Sequence, residues 1–66
     1  MAYRIIPNQE VQVGDEVLLV EAKGNLGTWY NVEARTGDIV SVLADTGESR
    51  EIAIKNLDVV ERWINE

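Results

Sequence analysis

Apolar and polar residues alternate from residue 28 to residue 45, and this alternation predicts a β-hairpin. The break falls at Gly37-Asp38, a dipeptide typical of turns. Each arm has one apolar face, formed by Tyr30, Val32 and Ala34 in the first arm and by Val40, Val42 and Ala44 in the second.

The loop length of this hairpin follows from its register. A three-residue loop, Thr36-Gly37-Asp38, sets Val32 opposite Val42 and Ala34 opposite Val40. A two-residue loop mixes the two faces and exposes the apolar set, because a one-residue slip moves every side chain to the other face. We therefore expect the three-residue loop.

The same argument predicts a second hairpin at Thr46-Gly47-Glu48. A three-residue loop there sets Val42 opposite Ile52 and Val40 opposite Ile54. The three strands then form a meander that shares one apolar face.

The flanking segments are shorter. Residues 3–6 fit an edge strand that ends at Pro7, which lacks a backbone donor. Residues 11–21 contain four consecutive apolar residues, 17–20, which are typical of a strand covered on both faces. Residues 23–27 hold two glycines and predict a loop.

The C-terminal stretch has two interpretations. Residues 55–58 predict a turn, with one 3₁₀ turn. After it, Val59 and Val60 favour a closing strand, whereas Asp58 followed by Glu61 fits the capping box of a terminal helix. We favour the strand.

Together these patterns predict one all-β domain spanning residues 1–66, with its core in about 11–62 and five strands near 11–21, 28–35, 39–45, 49–55 and 58–62. That these strands close into a small, strongly bent barrel is what the family resemblance given below implies. The predicted buried residues are Val17, Leu19, Tyr30, Val32, Val40, Val42, Ile52, Ile54 and Leu57.

Composition narrows the chemistry. The 66 residues include no cysteine and no histidine, which excludes disulfides, zinc–thiolate sites and histidine-dependent catalysis. The carboxylate pairs Asp15-Glu16 and Asp45 with Glu48 fall short of the ligand number that calcium requires. We expect no catalytic residues, no cofactor and no metal.

Charge and hydropathy indicate the environment. No apolar run approaches the ~18 residues of a membrane span, and the N-terminal residues lack the long apolar stretch of a signal peptide. We expect a cytoplasmic protein with no membrane contact. The net charge of −6 repels a phosphate backbone and favours basic partners, so nucleic acid is an unfavourable ligand.

A family resemblance covers about residues 13–60. Five short strands in this length resemble an SH3-like barrel, and Gly27-Thr28-Trp29-Tyr30-Asn31-Val32 is similar to the glycine-x-tryptophan-tyrosine stretch of Tudor-type domains. The turn that starts at Asp45 and the closing Leu57 follow the same family at matching spacing. The resemblance implies a five-stranded barrel fold.

The ligand site of Tudor readers does not carry over. Tyr30 matches one wall of their aromatic cage, but Lys23, Leu43 and Thr46 stand where such readers carry aromatic residues, and Glu48 stands where they have asparagine. One wall is too little for cation–π capture of a quaternary ammonium.

Two other kinds of small barrel share parts of the pattern. Val13-Gly14-Asp15-Glu16-Val17 is similar to the entry of KOW-type barrels associated with ribosomes and transcription, but those barrels are basic. Plasmid-encoded dihydrofolate reductases are short barrels with a Val-Gln-Ile-Tyr segment, and the comparable segment here is Arg50-Glu51-Ile52-Ala53.

Trp29 is the leading candidate for a partner contact. The predicted register places Trp29, Ile39 and Leu43 on the outward face, with Asp45, Arg35 and Glu51 as a charged rim. The alternative is that a terminus folds over Trp29.

Tyr30 points inward, with its hydroxyl at the rim, and its alternative role is in a ligand groove. Trp63 is either a terminal latch on the barrel or part of an interface. The predicted partner-binding residues are Trp29, Ile39, Leu43, Tyr30, Arg35 and Trp63.

These observations favour a non-catalytic protein–protein interaction module, an accessory or modulatory protein of phage or bacterial type. It would bind another protein or itself through the Trp29 face. A nucleic-acid-associated barrel and an acidic mimic of nucleic acid are the alternatives.

Overall fold

The computed structural model describes residues 1–20 and 27–65 and contains one antiparallel sheet of six strands. In chain order the strands are β1 (Ala2–Ile5), β2 (Glu16–Leu19), β3 (Thr28–Thr36), β4 (Ile39–Ala44), β5 (Ser49–Ala53) and β6 (Val59–Ile64). Two 3₁₀ turns span Asn8–Glu10 and Ile54–Asn56. The all-β prediction is confirmed, including the strand interpretation of the C-terminal stretch and the short N-terminal edge strand.

The spatial order of the strands is β1-β6-β2-β3-β4-β5, and the sheet is not closed. The predicted closed barrel of five strands is therefore not confirmed. The two 3₁₀ turns bridge part of the gap: the side-chain amide of Asn8 donates to the backbone carbonyl oxygens of Ile54 and Leu57, at 2.7 and 2.9 Å. This amide fixes the first 3₁₀ turn against the second.

One face of the curled sheet encloses the core, and we call it the inner face. All nine residues predicted to be buried are buried in this core. Ile54 and Leu57 reach it from the second 3₁₀ turn and the residue after that turn, so the strand predicted over 49–55 is confirmed only for Ser49–Ala53. Three more apolar residues complete the core: Val11, Ala44 and Val60. Val11 reaches the core from the segment after the first 3₁₀ turn rather than from a strand, so the strand predicted over 11–21 is confirmed only for Glu16–Leu19. The run 17–20 is covered on one side, since Leu18 is half-buried and Val20 is exposed.

The tip of the β3–β4 hairpin differs from the prediction. Thr36 pairs with Ile39, so Gly37 and Asp38 form a two-residue turn, with Gly37 at a φ of 58°. The predicted pairing of Ala34 with Val40 is wrong. A bulge between Val32 and Ala34 inserts one extra residue, Glu33, and restores the predicted pairs farther along, Val32 with Val42 and Tyr30 with Ala44.

The second hairpin is shifted by two residues from its predicted register. Val40 pairs with Ile52, and Val42 pairs with Arg50. Because side chains alternate with a period of two, this shift keeps every residue on its predicted face. The loop keeps the predicted length of three residues but lies one residue earlier, at Asp45-Thr46-Gly47. It is closed by backbone hydrogen bonds from the Ala44 N–H to the Glu48 oxygen (2.8 Å) and from the Gly47 N–H to the Ala44 oxygen (2.9 Å).

Candidate functional site

Trp29 lies near the start of β3 with its side chain on the outer face of the sheet. Its indole is 43% exposed, and its cross-strand partner is Leu18. The next residue, Tyr30, is buried on the inner face, and its hydroxyl donates to Glu48 Oε1 at 3.4 Å. The predicted orientations of Trp29 and Tyr30 are both observed.

Trp29 belongs to a small apolar group in the middle of the sheet, which we call the outer patch: Trp29, Leu18, Val59 and Leu43. Leu18 pairs with Trp29 on one side and with Val59 on the other. Leu43 is diagonal to Trp29, because it pairs with Asn31 two residues along β3. The three aliphatic members are half-buried, so the indole is the most exposed part of the outer patch.

Gly27 packs closely against Leu18 of the outer patch. A Cβ atom at residue 27 would lie 2.8 Å from Leu18 Cδ1 and 2.9 Å from Val20 Cγ2. The backbone of Gly27 therefore packs directly on these side chains, at a positive φ of 90°. The rest of the predicted glycine loop, residues 23–26, lies outside the described residues, as do residues 21 and 22.

Carboxylates border the outer patch. A shallow cavity of about 100 Å³ opens beside the indole, and its lining consists of Glu16, Trp29, Tyr30, Asn31 and Asp45. Glu16 is also the hydrogen-bond acceptor for the Tyr3 hydroxyl, at 3.0 Å. This hydrogen bond is the main reason why the pKa of Tyr3 is raised.

Charge is divided between the two faces of the sheet. On the outward strand positions of the described residues the charged side chains are acidic: Glu16, Glu51 and Glu61. Arg35 and Arg50 pair with the buried Val40 and Val42. Arg62 lies two residues after the buried Val60, and Arg4 pairs with Arg62, so all four arginines of the strands occupy inward positions. The outer face is therefore acidic around its apolar centre.

The predicted stripe of Trp29, Ile39 and Leu43 is interrupted. All three side chains lie on the outer face, but Ser41 separates Leu43 from Ile39, which pairs with Ala53 and Thr36 beside the hairpin turn. Ile39 and Leu43 are four residues apart along β4, which is about 13 Å at ~3.3 Å per residue. Leu43 adjoins Trp29, whereas Ile39 is a separate exposed residue.

Arg35 does not lie on the predicted charged rim. The bulge at Glu33 turns it to the inner side, where it pairs with Val40. Its guanidinium donates to the backbone oxygens of Gln9, Val11 and Gly37 at distances of 2.7–2.8 Å. Arg35 thus holds the segment that carries the buried Val11.

Asp15 and Arg62 form an ion pair that no sequence pattern indicates. Asp15 is 1% exposed, and both of its carboxylate oxygens accept from Arg62, at 2.8 and 3.0 Å. The carboxylate also accepts from the Gln12 N–H, and Arg62 donates further to the Glu10 oxygen. Asp15 raises the pKa of Arg62. Since these donors and acceptors are all used within the fold, the pair is structural.

A second aromatic group lies on β1 and β6. Trp63 pairs with Tyr3, and the two rings meet edge to face with centroids 4.9 Å apart. Trp63 remains 52% exposed and Tyr3 49% exposed. Trp63 therefore packs on the N-terminal strand, and neither ring is placed over Trp29, which lies on β3.

A larger groove of about 650 Å³ lies where the two 3₁₀ turns meet. The side-chain amide of Asn8 lines this groove, and its N–H groups already donate to the carbonyl oxygens of Ile54 and Leu57. Its other lining residues are Gln9, Asp38, Ala53, Ile54 and Lys55. Across residues 1–20 and 27–65, no three or more Asp or Glu side chains group closely enough to hold a metal ion.

The comparisons identify no relative. Searches against models of known protein families, against curated proteins and against solved structures find no match. In the part of the chain that the structure describes, no helix has the length and apolar character needed to cross a bilayer.

Proposed function

We propose that this protein is a non-catalytic interaction module that binds a basic segment of a partner protein through the outer patch. The observation that carries the proposal is the 43% exposed indole of Trp29 in the middle of the outer face. Large aromatic side chains in this position anchor protein contacts more often than other residues do. The half-buried Leu18, Leu43 and Val59 around Trp29 restrict its side chain before binding. Less conformational entropy is then lost when a partner binds.

The charge around the patch supports a basic partner. Glu16 and Asp45 line the cavity beside Trp29, and Glu61 pairs with Glu16 on the same face. A lysine or arginine next to an apolar anchor residue fits this arrangement, because the carboxylates attract the cation while the indole face adds cation–π attraction. The same carboxylates repel phosphate groups and disfavour nucleic acid as the ligand.

The proposed fold relationship is with small SH3-like barrels. Five of the six strands, β2 to β6, together with a 3₁₀ turn before the last strand, support it. The Tudor-type ligand is not part of the proposal, because the inward Tyr30 is 3% exposed and its neighbours on the sheet are aliphatic.

The test is retention of partner proteins on three immobilised baits: the intact chain, Trp29→Ala and Ile39→Ala. Ile39 is the matched control, since its side chain is 44% exposed on the same face but lies outside the outer patch. We expect proteins that the intact chain and Ile39→Ala retain and that Trp29→Ala loses. Their retention should fall as salt rises, because exposed charges are screened beyond ~8 Å at 0.15 M.

A defined probe completes the test. Synthetic peptides that combine lysine or arginine with leucine or isoleucine should bind the intact chain more tightly than peptides of the same composition with glutamate in place of the cations. Equal retention of every bound protein by Trp29→Ala, or preference for the acidic peptides, contradicts the proposal.

A further inference from the structure

We infer that two copies of this chain pair through β1, joining their sheets across a two-fold axis. β1 is the edge strand beside β6, and all four of its residues are exposed. An edge strand presents unpaired backbone N–H and C=O groups that a second strand can use. This inference does not depend on the outer patch or on the proposed function.

The backbone groups available at the edge can be assigned. Ile6 N–H donates to the Val60 oxygen at 2.8 Å, which makes Ile6 and Val60 a hydrogen-bonded pair. In an antiparallel ladder such pairs alternate, so the backbone groups of Ala2 and Arg4 also face β6. Those of Met1, Tyr3 and Ile5 face away from β6, toward the open edge.

One antiparallel register suits these groups best, because it pairs the most residues of β1 without bringing like charges together. With Tyr3 opposite Tyr3 of the second copy, Ile5 lies opposite Met1 and Arg4 lies opposite Ala2, so no like charges meet. A shift that sets Tyr3 opposite Ile5 places Arg4 against Arg4 in the closely spaced pair, where like charges destabilise the sheet. A further shift sets Tyr3 opposite Pro7, which has no N–H to donate.

The side chains of this register are complementary. Tyr3 and Trp63 already form an edge-to-face pair, and the two-fold axis brings the Tyr3 rings of both copies together into a group of four aromatic rings. About half of each ring is exposed. An aromatic side chain buries ~150–250 Å² in full, so the four rings offer roughly 400 Å².

Met1 and Ile5 add to this area, being 75% and 70% exposed. Even complete burial of these side chains only approaches the roughly 1,000 Å² of the smallest specific interfaces. The association is therefore a weak one that depends on protein concentration.

The opposite edge of the sheet is not equivalent. β5 carries Arg50 and Glu51 in its middle, and charged side chains on an edge strand protect it from pairing. β1 carries a single charged residue, Arg4, on its inner side. The contrast identifies β1 as the edge that pairs.

The experiment is sedimentation velocity of the intact chain, Ile5→Lys and Ile39→Lys from micromolar to millimolar concentration. A lysine at residue 5 places a charge at the interface, whereas Ile39 is an isoleucine that is also exposed but lies on a strand within the sheet. We expect the intact chain and Ile39→Lys to approach twice the monomer mass as concentration rises. Ile5→Lys should raise the dissociation constant at least ~10-fold. A monomer at every concentration, or the same dimerisation in both lysine variants, overturns the inference.

Single cysteines test the register, because the chain has no cysteine of its own. Tyr3→Cys should form an intermolecular disulfide faster than Arg4→Cys or Ile5→Cys, since only residue 3 meets itself across the axis at a Cα separation of ~5.5 Å. Fastest cross-linking at residue 4 or 5, or none at residue 3, overturns the register. Retention of partners by Ile5→Lys, and dimerisation of Trp29→Ala, distinguish this inference from the proposed function.

Discussion

Replacing Asp15 by asparagine tests the buried ion pair. The substitution keeps the size of the side chain. It removes the negative charge and replaces one of the two oxygens that accept hydrogen bonds from Arg62, at 2.8 and 3.0 Å. Breaking a fully buried pair costs ~3–5 kcal/mol, because a charge is left without a partner. The Arg62 side chain is 27% exposed, so water partly replaces the lost acceptor. We therefore expect a loss of about 2–3 kcal/mol in the free energy of unfolding.

The assay is thermal and urea denaturation followed by circular dichroism. At ~4–8 °C per kcal/mol for a domain of this size, the melting temperature of Asp15→Asn should fall by roughly 15 °C. Asp45→Asn is the control, since Asp45 is an exposed carboxylate and its replacement should change stability by at most ~0.5 kcal/mol. Arg62→Lys keeps the charge but loses the planar two-point contact, so it should fall between the two. Melting of Asp15→Asn within a few degrees of Asp45→Asn would refute the reasoning.

Two further predictions concern local packing and ionisation. Gly27→Ala should destabilise the fold by at least ~1 kcal/mol more than Gly47→Ala in the same denaturation assay: both glycines have φ near 90°, but only at Gly27 would the new Cβ meet Leu18, at 2.8 Å. Equal losses would show that backbone strain alone matters. In alkaline titration followed by tyrosinate absorbance, Glu16→Gln should shift one ionisation to lower pH, and a Tyr3→Phe background should abolish the shift, because Glu16 holds the pKa of Tyr3 above its ordinary value. The sign follows from this raised pKa: the contact contributes to stability below pH ~10 and is lost as pH rises through the folded pKa of Tyr3.

The sequence predicted the faces of the strands better than their pairing near turns. Alternation identified Val32, Val40 and Val42 as core residues, and burial of the apolar set then settled which face points inward. The same alternation cannot reveal a bulge, because one inserted residue changes the phase of the strand locally. For this reason the loop at Gly37 was predicted one residue too long, and Arg35 was assigned to the wrong face.

The buried ion pair could not be predicted for a different reason. Asp15 and Arg62 are 47 residues apart, and their contact depends on β6 lying between β1 and β2. No local pattern specifies that strand order. The local signal was Gly14 itself, a residue type that permits the positive φ of 95° with which the backbone turns just before the buried Asp15.

The division of charge between the two faces of the sheet has a consequence for how the molecule meets any charged surface. With Glu16, Glu51 and Glu61 outward and the strand arginines inward, the outer face is the more acidic side of the sheet in a protein whose net charge is −6. On a positively charged resin or electrode it should adsorb with the outer face down. Immobilisation by adsorption would therefore hide Trp29, whereas a tether at the opposite side would present it.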